Sequence, residues 1–282
     1  MSVSQSLREL ISSCELPANE ARILLAHILE KHYQLPRSAL LSRDGMSLNE
    51  QAFGEWENLI SRRVLGEPIA YILGRRGFHH IELQVGPGVL IPRPETELLV
   101  EIVLTEIAKF NKHTRVLDLG TGSGAIALSI ASAVPLASMI ATDQSTEALA
   151  IAKQNAQSLN LLDQVQFFQG SWYAALTELS QFDVIVSNPP YIAHQDPHLT
   201  QGDLRFEPES ALTDYASGLS CLEIIIAGAD QYLKPGGLLA VEHGVDQSEA
   251  VMGLMKAAGL IDVQAHLDLA GHHRAVSGRK KL

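Results

Sequence analysis

The residues best equipped for chemistry are Ser187-Asn188-Pro189-Pro190-Tyr191, which directly follow the apolar run Phe182-Asp183-Val184-Ile185-Val186. A β-branched run of that length predicts a buried strand. Two prolines end it, because proline fixes φ and has no N–H to offer a sheet. A side-chain amide, a main-chain carbonyl and an aromatic ring are therefore presented together on rigid backbone. That set suits a flat, planar nitrogen. An amide nitrogen is a poor nucleophile because its lone pair is delocalised into the carbonyl. If both of its N–H groups donate to fixed acceptors, the nitrogen can become more tetrahedral and free the lone pair for attack. Asn188 Oδ1 and the Pro189 carbonyl are the acceptors assigned here, with Tyr191 stacked on the amide plane. Position and preorganised dipoles, not acid–base chemistry, would then lower the barrier.

A second constellation lies upstream: Asp118-Leu119-Gly120-Thr121-Gly122-Ser123-Gly124, with Asp143 about twenty residues on. Glycines between a strand and a helix permit a tight turn and close approach of backbone to a ligand. The helix start offers free N–H groups. An acid at that distance suits the two hydroxyls of a ribose, so an adenosine-containing cofactor is predicted. The spacing is Gly-x-Gly-x-Gly, not the dinucleotide Gly-x-Gly-x-x-Gly. Asp118, two residues before the first glycine, is a candidate acceptor for a cofactor ammonium group. Both details favour S-adenosylmethionine over a dinucleotide, and with Asn188 they predict methyl transfer to nitrogen. Trp172 follows the third predicted strand, where it either flanks the purine or serves as a core tryptophan. Gln144 is more polar than a residue chosen to pack on adenine.

The elements that must position these residues alternate from Arg115 onward. Strands are predicted at Val116–Leu119, Met139–Thr142, Val165–Phe168, Val184–Ser187 and Leu238–Glu242. Helices are predicted at Ala125–Ala133, Thr146–Leu159, Leu219–Leu233 and Gln247–Ala258. That pattern gives an α/β fold with a Rossmann-like, doubly wound parallel sheet. Two last strands, Ile261–Leu269 and His273–Ser277, complete it, at least one of them antiparallel. Before it, apolar residues at helical spacing predict helices at Val3–Ser13 and Ala18–Tyr33. Ser47-Leu48-Asn49-Glu50 reads as a capping box opening a third. Ile81, Leu83 and Val85 alternate with polar residues beside the turn Gly86-Pro87-Gly88, which predicts a hairpin. Pro94 then enters the first turn of a helix that runs to about Phe110. The expected domains are a small helical one (1–74), a β-hairpin linker (75–90) and a catalytic one (91–282).

The formal net charge of −11 over 282 residues disfavours a mainly electrostatic grip on nucleic acid. Cys14 and Cys221 are far apart and form no disulfide framework. His79-His80, His243 and His272-His273 show no metal-ligand spacing, so no metal is expected. Glu9 and Glu15 lie where a secretory signal would be apolar or basic. The uncharged stretch from Leu119 to Thr142 contains Pro135 and three glycines, which fits a buried helix and strand better than a membrane span. A cytoplasmic monomer with no membrane partner is the expectation.

Several segments together resemble a known family, the glutamine N5-methyltransferases of peptide chain release factors (the HemK or PrmC family). They are Ile91-Pro-Arg-Pro-Glu-Thr-Glu97, Val116 to Ile126, Ser187 to Ile192, Arg205-Phe-Glu-Pro208, Pro235-Gly-Gly237 with Glu242-His-Gly244, and Asp268-Leu-Ala-Gly271 with Arg274 and Gly278-Arg279. Asn-Pro-Pro-Tyr alone also occurs in adenine and guanine amino-methyltransferases. The resemblance implies a class I S-adenosylmethionine-dependent methyltransferase with a helical N-terminal domain, and a release factor's Gly-Gly-Gln loop as substrate. It implies cofactor binding by Gly120, Thr121, Gly122, Ser123, Gly124, Asp143, Trp172 and Asn188, and a glutamine held by Asn188, Pro189, Pro190 and Tyr191. Arg93 and Glu95 are expected to shape the pocket wall or to serve only as loop and cap residues. Alternatives stay open: a ribosomal-protein glutamine methyltransferase, a base amino-methyltransferase, or a cofactor-binding module without catalysis.

Overall fold

The computed structural model describes residues 5–110, 113–176 and 181–282. The chain divides into two compact units, Met1–Gly74 and Arg75–Leu282. Among the described residues, no helix is long and apolar enough to cross a membrane.

The first unit is helical: α1 (Leu7–Ser13), α2 (Ala18–Tyr33), α3 (Ala39–Ser42), α4 (Glu50–Val64) and α5 (Ile69–Leu73). Leu24, Leu25, Ile28 and Leu29 of α2 are fully buried against Leu7, Leu10, Trp56 and Leu59. The capping box lies elsewhere than predicted. Ser6 caps α1 with Glu9 bonded back to it, whereas α4 is capped by Asn49, whose Oδ1 accepts the Ala52 N–H at 2.8 Å. Ser47 instead sits in a bridge to Ser6. Helix α1 accordingly starts at Leu7, and Val3 lies outside the described residues.

The second unit opens with a hairpin, β1 (Arg75–Phe78) and β2 (Ile81–Gln84), whose turn is at His79-His80. The sequence placed the turn at Gly86-Pro87-Gly88. The alternation of Ile81 and Leu83 is real, but their partner strand precedes them. His79 takes a left-handed φ of 52° and closes the turn, while Gly86 to Gly88 bend the chain away from the sheet. Phe78, Ile81 and Leu83 belong to this unit's core.

Seven strands form the main sheet: β3 (Thr114–Leu119), β4 (Ala137–Asp143), β5 (Val165–Gln169), β6 (Phe182–Ser187), β7 (Leu233–Glu242), β8 (Ile261–Leu267) and β9 (His273–Arg279). Their order is β5-β4-β3-β6-β7-β9-β8, and only β9 runs against its neighbours. Helices α6 (Glu97–Ile107), α7 (Ala125–Ala133) and α8 (Thr146–Ser158) pack toward one face. Helices α9 (Ser220–Tyr232) and α10 (Ser248–Ala257) cover the other. A short 3₁₀ turn, Pro94–Thr96, precedes α6. Strand β7 is longer than predicted because it starts before Pro235-Gly236-Gly237. Its register against β6 shifts between Phe182 and Val184, which absorbs the proline.

The chain leaves β3 for β4 and β5 on one side, and returns with β6 on the other. The loops after β3 and β6 therefore diverge at a topological switch point, where open α/β sheets bind ligands. Far from it, Glu106 of α6 is 3% exposed and accepts a paired contact from Arg279 of β9, one arm at 2.7 Å. The Arg279 guanidinium holds the Glu106 carboxyl below the usual range. Removing Arg279 leaves the buried carboxylate to the exposed Lys109 ammonium. Arg279→Ala is expected to lower stability by about 3 kcal/mol, and Lys109→Ala, which removes an exposed second partner, by under about 1 kcal/mol. Urea unfolding midpoints measure both.

Candidate active site

A cavity of about 370 Å³ opens at the switch point. Its floor is the loop after β3: Gly120, Gly122 and Gly124 all have positive φ. At Gly120 an added methyl would sit 3.2 Å from Trp172 Cζ3, so glycine lets the indole lie against the loop. Trp172 lines the cavity and also packs on the core beside β5, so both predicted roles are compatible with its place. Asp143, at the end of β4, lines the cavity as well. Its Oδ2 accepts the Gly122 N–H at 2.9 Å and its Oδ1 the Ser145 N–H at 2.9 Å. Burial raises the Asp143 carboxyl, and these N–H groups oppose the shift.

Asp118 lies beneath the loop, fully buried and outside the cavity lining. Its Oδ2 accepts the Thr121 hydroxyl at 2.7 Å, and its Oδ1 has no partner. Burial pushes its pKa up to about 7. The residue predicted to reach a cofactor ammonium thus holds the loop from below.

The loop after β6 supplies the other side. Asn188 and Pro190 line the cavity, and Pro189 is buried. Asn188 Nδ2 donates to Thr96 Oγ1 at 3.0 Å, which fixes the carboxamide and leaves Oδ1 as its free acceptor. Tyr191 is turned from the cavity: its hydroxyl donates to Glu242 Oε1 at 3.0 Å, and its carbonyl accepts Gln247 Nε2 at 3.0 Å. Gln247 also takes the Gly244 N–H at 2.8 Å, tying the ends of β6 and β7 together. Glu242 is 1% exposed, and the Thr96 hydroxyl acts on it alongside that of Tyr191. Burial raises its pKa to about 7, against the pull of Thr96, Tyr191 and Arg274.

Arg93 lines the cavity and pairs with Glu207, whose Oε2 also accepts the Ile91 N–H at 2.9 Å. Glu95 is exposed and outside the lining. Of the Ile91–Glu97 segment, Thr96 is the residue that reaches Asn188. Thr96, Glu207, Pro208 and Glu242 lie in segments that carry the family resemblance, but no local pattern signals their contacts, nor the wall formed by Pro208, Thr213, Asp214 and Tyr215.

The motifs scattered along the chain thus converge on one cavity, and known proteins share them. The model for the Methyltransferase small domain matches residues 94–204, and that for the PrmC N-terminal domain matches residues 3–74. The release factor glutamine methyltransferase of Burkholderia pseudomallei is 48% identical over 96% of this chain and 95% of its own length. That of Bordetella pertussis is 47% identical over 96% and 98%. The chain belongs to the release factor glutamine methyltransferase family. Its fold is that of class I methyltransferases. The T. thermophilus 16S rRNA N2 G1207 methyltransferase, solved in complex with AdoMet and guanosine, superposes with a TM-score of 0.54 at 21% identity. The match covers 73% of this chain and 50% of that one.

In this member of the release factor glutamine methyltransferase family, Glu242 makes stability depend on pH. Its folded pKa of about 7 lies above the ordinary carboxylate value of 4.5. Between those values the native state holds a proton that the unfolded state has lost. The group's contribution is therefore full below the unfolded pKa, falls as pH rises toward 7 and is flat above. Glu242→Gln, neutral throughout, is expected to be more stable than the native protein by about 3 kcal/mol at pH 8 and nearly equal to it at pH 4.5. Urea titrations at the two pH values measure the difference.

Proposed function

We propose that this chain methylates the side-chain amide nitrogen (N5) of the glutamine in the Gly-Gly-Gln loop of peptide chain release factors, using S-adenosylmethionine. The observation that carries the reading is Asn188, held by Thr96 with its free oxygen in a cavity floored by the glycine loop. The chain's relatives, release factor glutamine methyltransferases, supply the substrate class.

The residues present fit the cofactor. Gly120 to Ser123 form a cradle of open backbone, Asp143 offers carboxylate oxygens for the ribose hydroxyls, and Trp172 offers a flat apolar face for the purine. Gly124, predicted with them, lies outside the lining and packs against Leu128 and Ala152. Asp118 supports the cradle through Thr121, and its unpartnered Oδ1 is a buried acceptor beneath it. Bound there, S-adenosylmethionine supplies an electrophilic methyl on a sulfonium.

Asn188 Oδ1 and the Pro189 carbonyl accept the two N–H groups of the substrate amide, and its nitrogen directs a lone pair toward the methyl. Tyr191 does not stack on the amide as the sequence predicts: its ring lies outside the cavity lining, and it contributes by fixing the loop backbone through Glu242 and Gln247. Pro190 and Arg93 line the approach. The methylated nitrogen is far more acidic than the free amide and releases its proton to water, so no strong base is required. A neutral asparagine suits a neutral amide, because a carboxylate there would be costly to bury unpaired. The helical unit is the docking element for the folded release factor, and the reaction takes place in the cytoplasm.

Labelled methyl from S-adenosylmethionine should appear on purified release factor and vanish when its loop glutamine is replaced by alanine. Label on a ribosomal protein or nucleic acid instead would overturn the substrate and keep the chemistry. Asn188→Ala should fold and lose about 100-fold or more in kcat, the scale for deleting one preorganised partner. Thr96→Val should lose about tenfold, because the Asn188 amide can then turn over. Full activity in either folded variant refutes the assigned grip.

A further inference from the structure

Asn155 lies in α8, away from both motif loops in sequence, and its side chain is 1% exposed. All of its hydrogen-bonding faces are used on backbone. Its Oδ1 accepts the Gln84 N–H at 2.7 Å, and its Nδ2 donates to the Gln84 carbonyl at 3.0 Å. The same Nδ2 donates to the Ser123 carbonyl at 2.9 Å. The carboxamide thus stands in for a neighbouring strand at Gln84, the last residue of β2, and extends that pairing to the glycine loop.

Beyond Gln84 the chain turns at Gly86 to Gly88, and Gly88, Val89 and Leu90 line the cavity facing that loop. The turn packs on the first part of α8: a methyl added at Gly88 would lie 3.5 Å from Glu147 Cβ. The glycine loop is therefore fixed at two adjacent points. Gly122 is held by Asp143, which lines the cavity, and Ser123 by Asn155, which does not.

We infer that Asn155 is a positioning residue for the cofactor, coupling the hairpin end to the glycine loop so that the two walls of the cavity are held in register. The inference rests on the reading of this cavity as the S-adenosylmethionine site. Because binding and wall order are linked, the coupling is reciprocal. Cofactor binding should tighten the hairpin end, and loosening the clamp should weaken the cofactor.

Asn155→Asp tests it at nearly constant shape: it keeps the acceptor for Gln84 N–H and loses at least one of the two donated bonds, since a protonated carboxyl has one O–H and an ionised one none. S-adenosylmethionine binding by calorimetry should weaken at least tenfold. The loss should fall on KM for the cofactor, with kcat at saturation changed less than threefold. In the native protein, S-adenosylmethionine should slow hydrogen exchange of the Gln84 amide at least tenfold and leave β8, on the far edge of the sheet, unchanged. The exchange measurement stands even where the variant does not fold. Unchanged affinity in folded Asn155→Asp, or Gln84 exchange insensitive to cofactor, refutes the coupling. Failure of the native protein to bind S-adenosylmethionine refutes instead the reading of the cavity.

Discussion

A carboxamide that is to hold another carboxamide must not rotate, because a half-turn exchanges its acceptor for a donor. The hydrogen bond from Asn188 Nδ2 to Thr96 Oγ1 imposes that constraint, and much of the surrounding structure serves it. Thr96 sits at the end of a 3₁₀ turn begun by Pro94, in a segment whose backbone Ile91 and side chain Arg93 are both fastened to Glu207. Glu207 has a fully buried side chain, so the anchor is itself immobile. Burial pushes this carboxyl up, and the Arg93 guanidinium opposes the rise without cancelling it. The rigidity reaching Asn188 is built from contacts more than ninety residues apart in sequence.

Sheet order explains why such contacts are available. Strand β3 lies between β4 and β6, so the glycine loop and the Asn188 loop leave adjacent strands at the same edge. One loop is open backbone that can accept a large ligand. The other is stiffened by two prolines and presents a single amide. Strand β7 adds Glu242 and Gly244 from the next position, and these fasten Tyr191 directly and through Gln247. Parallel pairing thus delivers the ends of β3, β4, β6 and β7 to one crevice, and antiparallel β9 reaches the same end of the sheet with its first residues, where the Arg274 charge acts on Glu242.

The sequence made legible whatever is encoded locally. Strand and helix alternation, the glycine turn, Asp143 at the end of β4 and the Asn188 loop each depend on residues within a few positions of one another. What it concealed is encoded by distance. Thr96, Glu207, Glu242 and Asn155 look like ordinary cap, loop and helix residues until the fold supplies partners from remote segments. The hairpin turn was misplaced for a related reason. Glycine and proline at 86–88 are the stronger turn signal, but the core position of Phe78 sets the pairing and forces His79 into the left-handed region. At α4, Asn49 took the cap because a bridge to Ser6 had already engaged Ser47. Local preference yielded to tertiary pairing in both places.

Two fully buried acids support the two loops: Asp118 under the glycine turn and Glu242 behind Tyr191. Burial raises both, each to about 7. An apolar residue of similar size would be easier to bury at either place. It could not hold the Thr121 or Tyr191 hydroxyl, and the loop above would lose its fixed point. The arrangement therefore accepts lower stability at the strand ends in return for backbone held still where the ligands meet. Similar logic governs the neutral groups: Asn155 and Gln247 spend their amides on backbone, whereas Asn188, in the cavity lining, gives its Nδ2 to Thr96 and keeps its Oδ1 for a ligand.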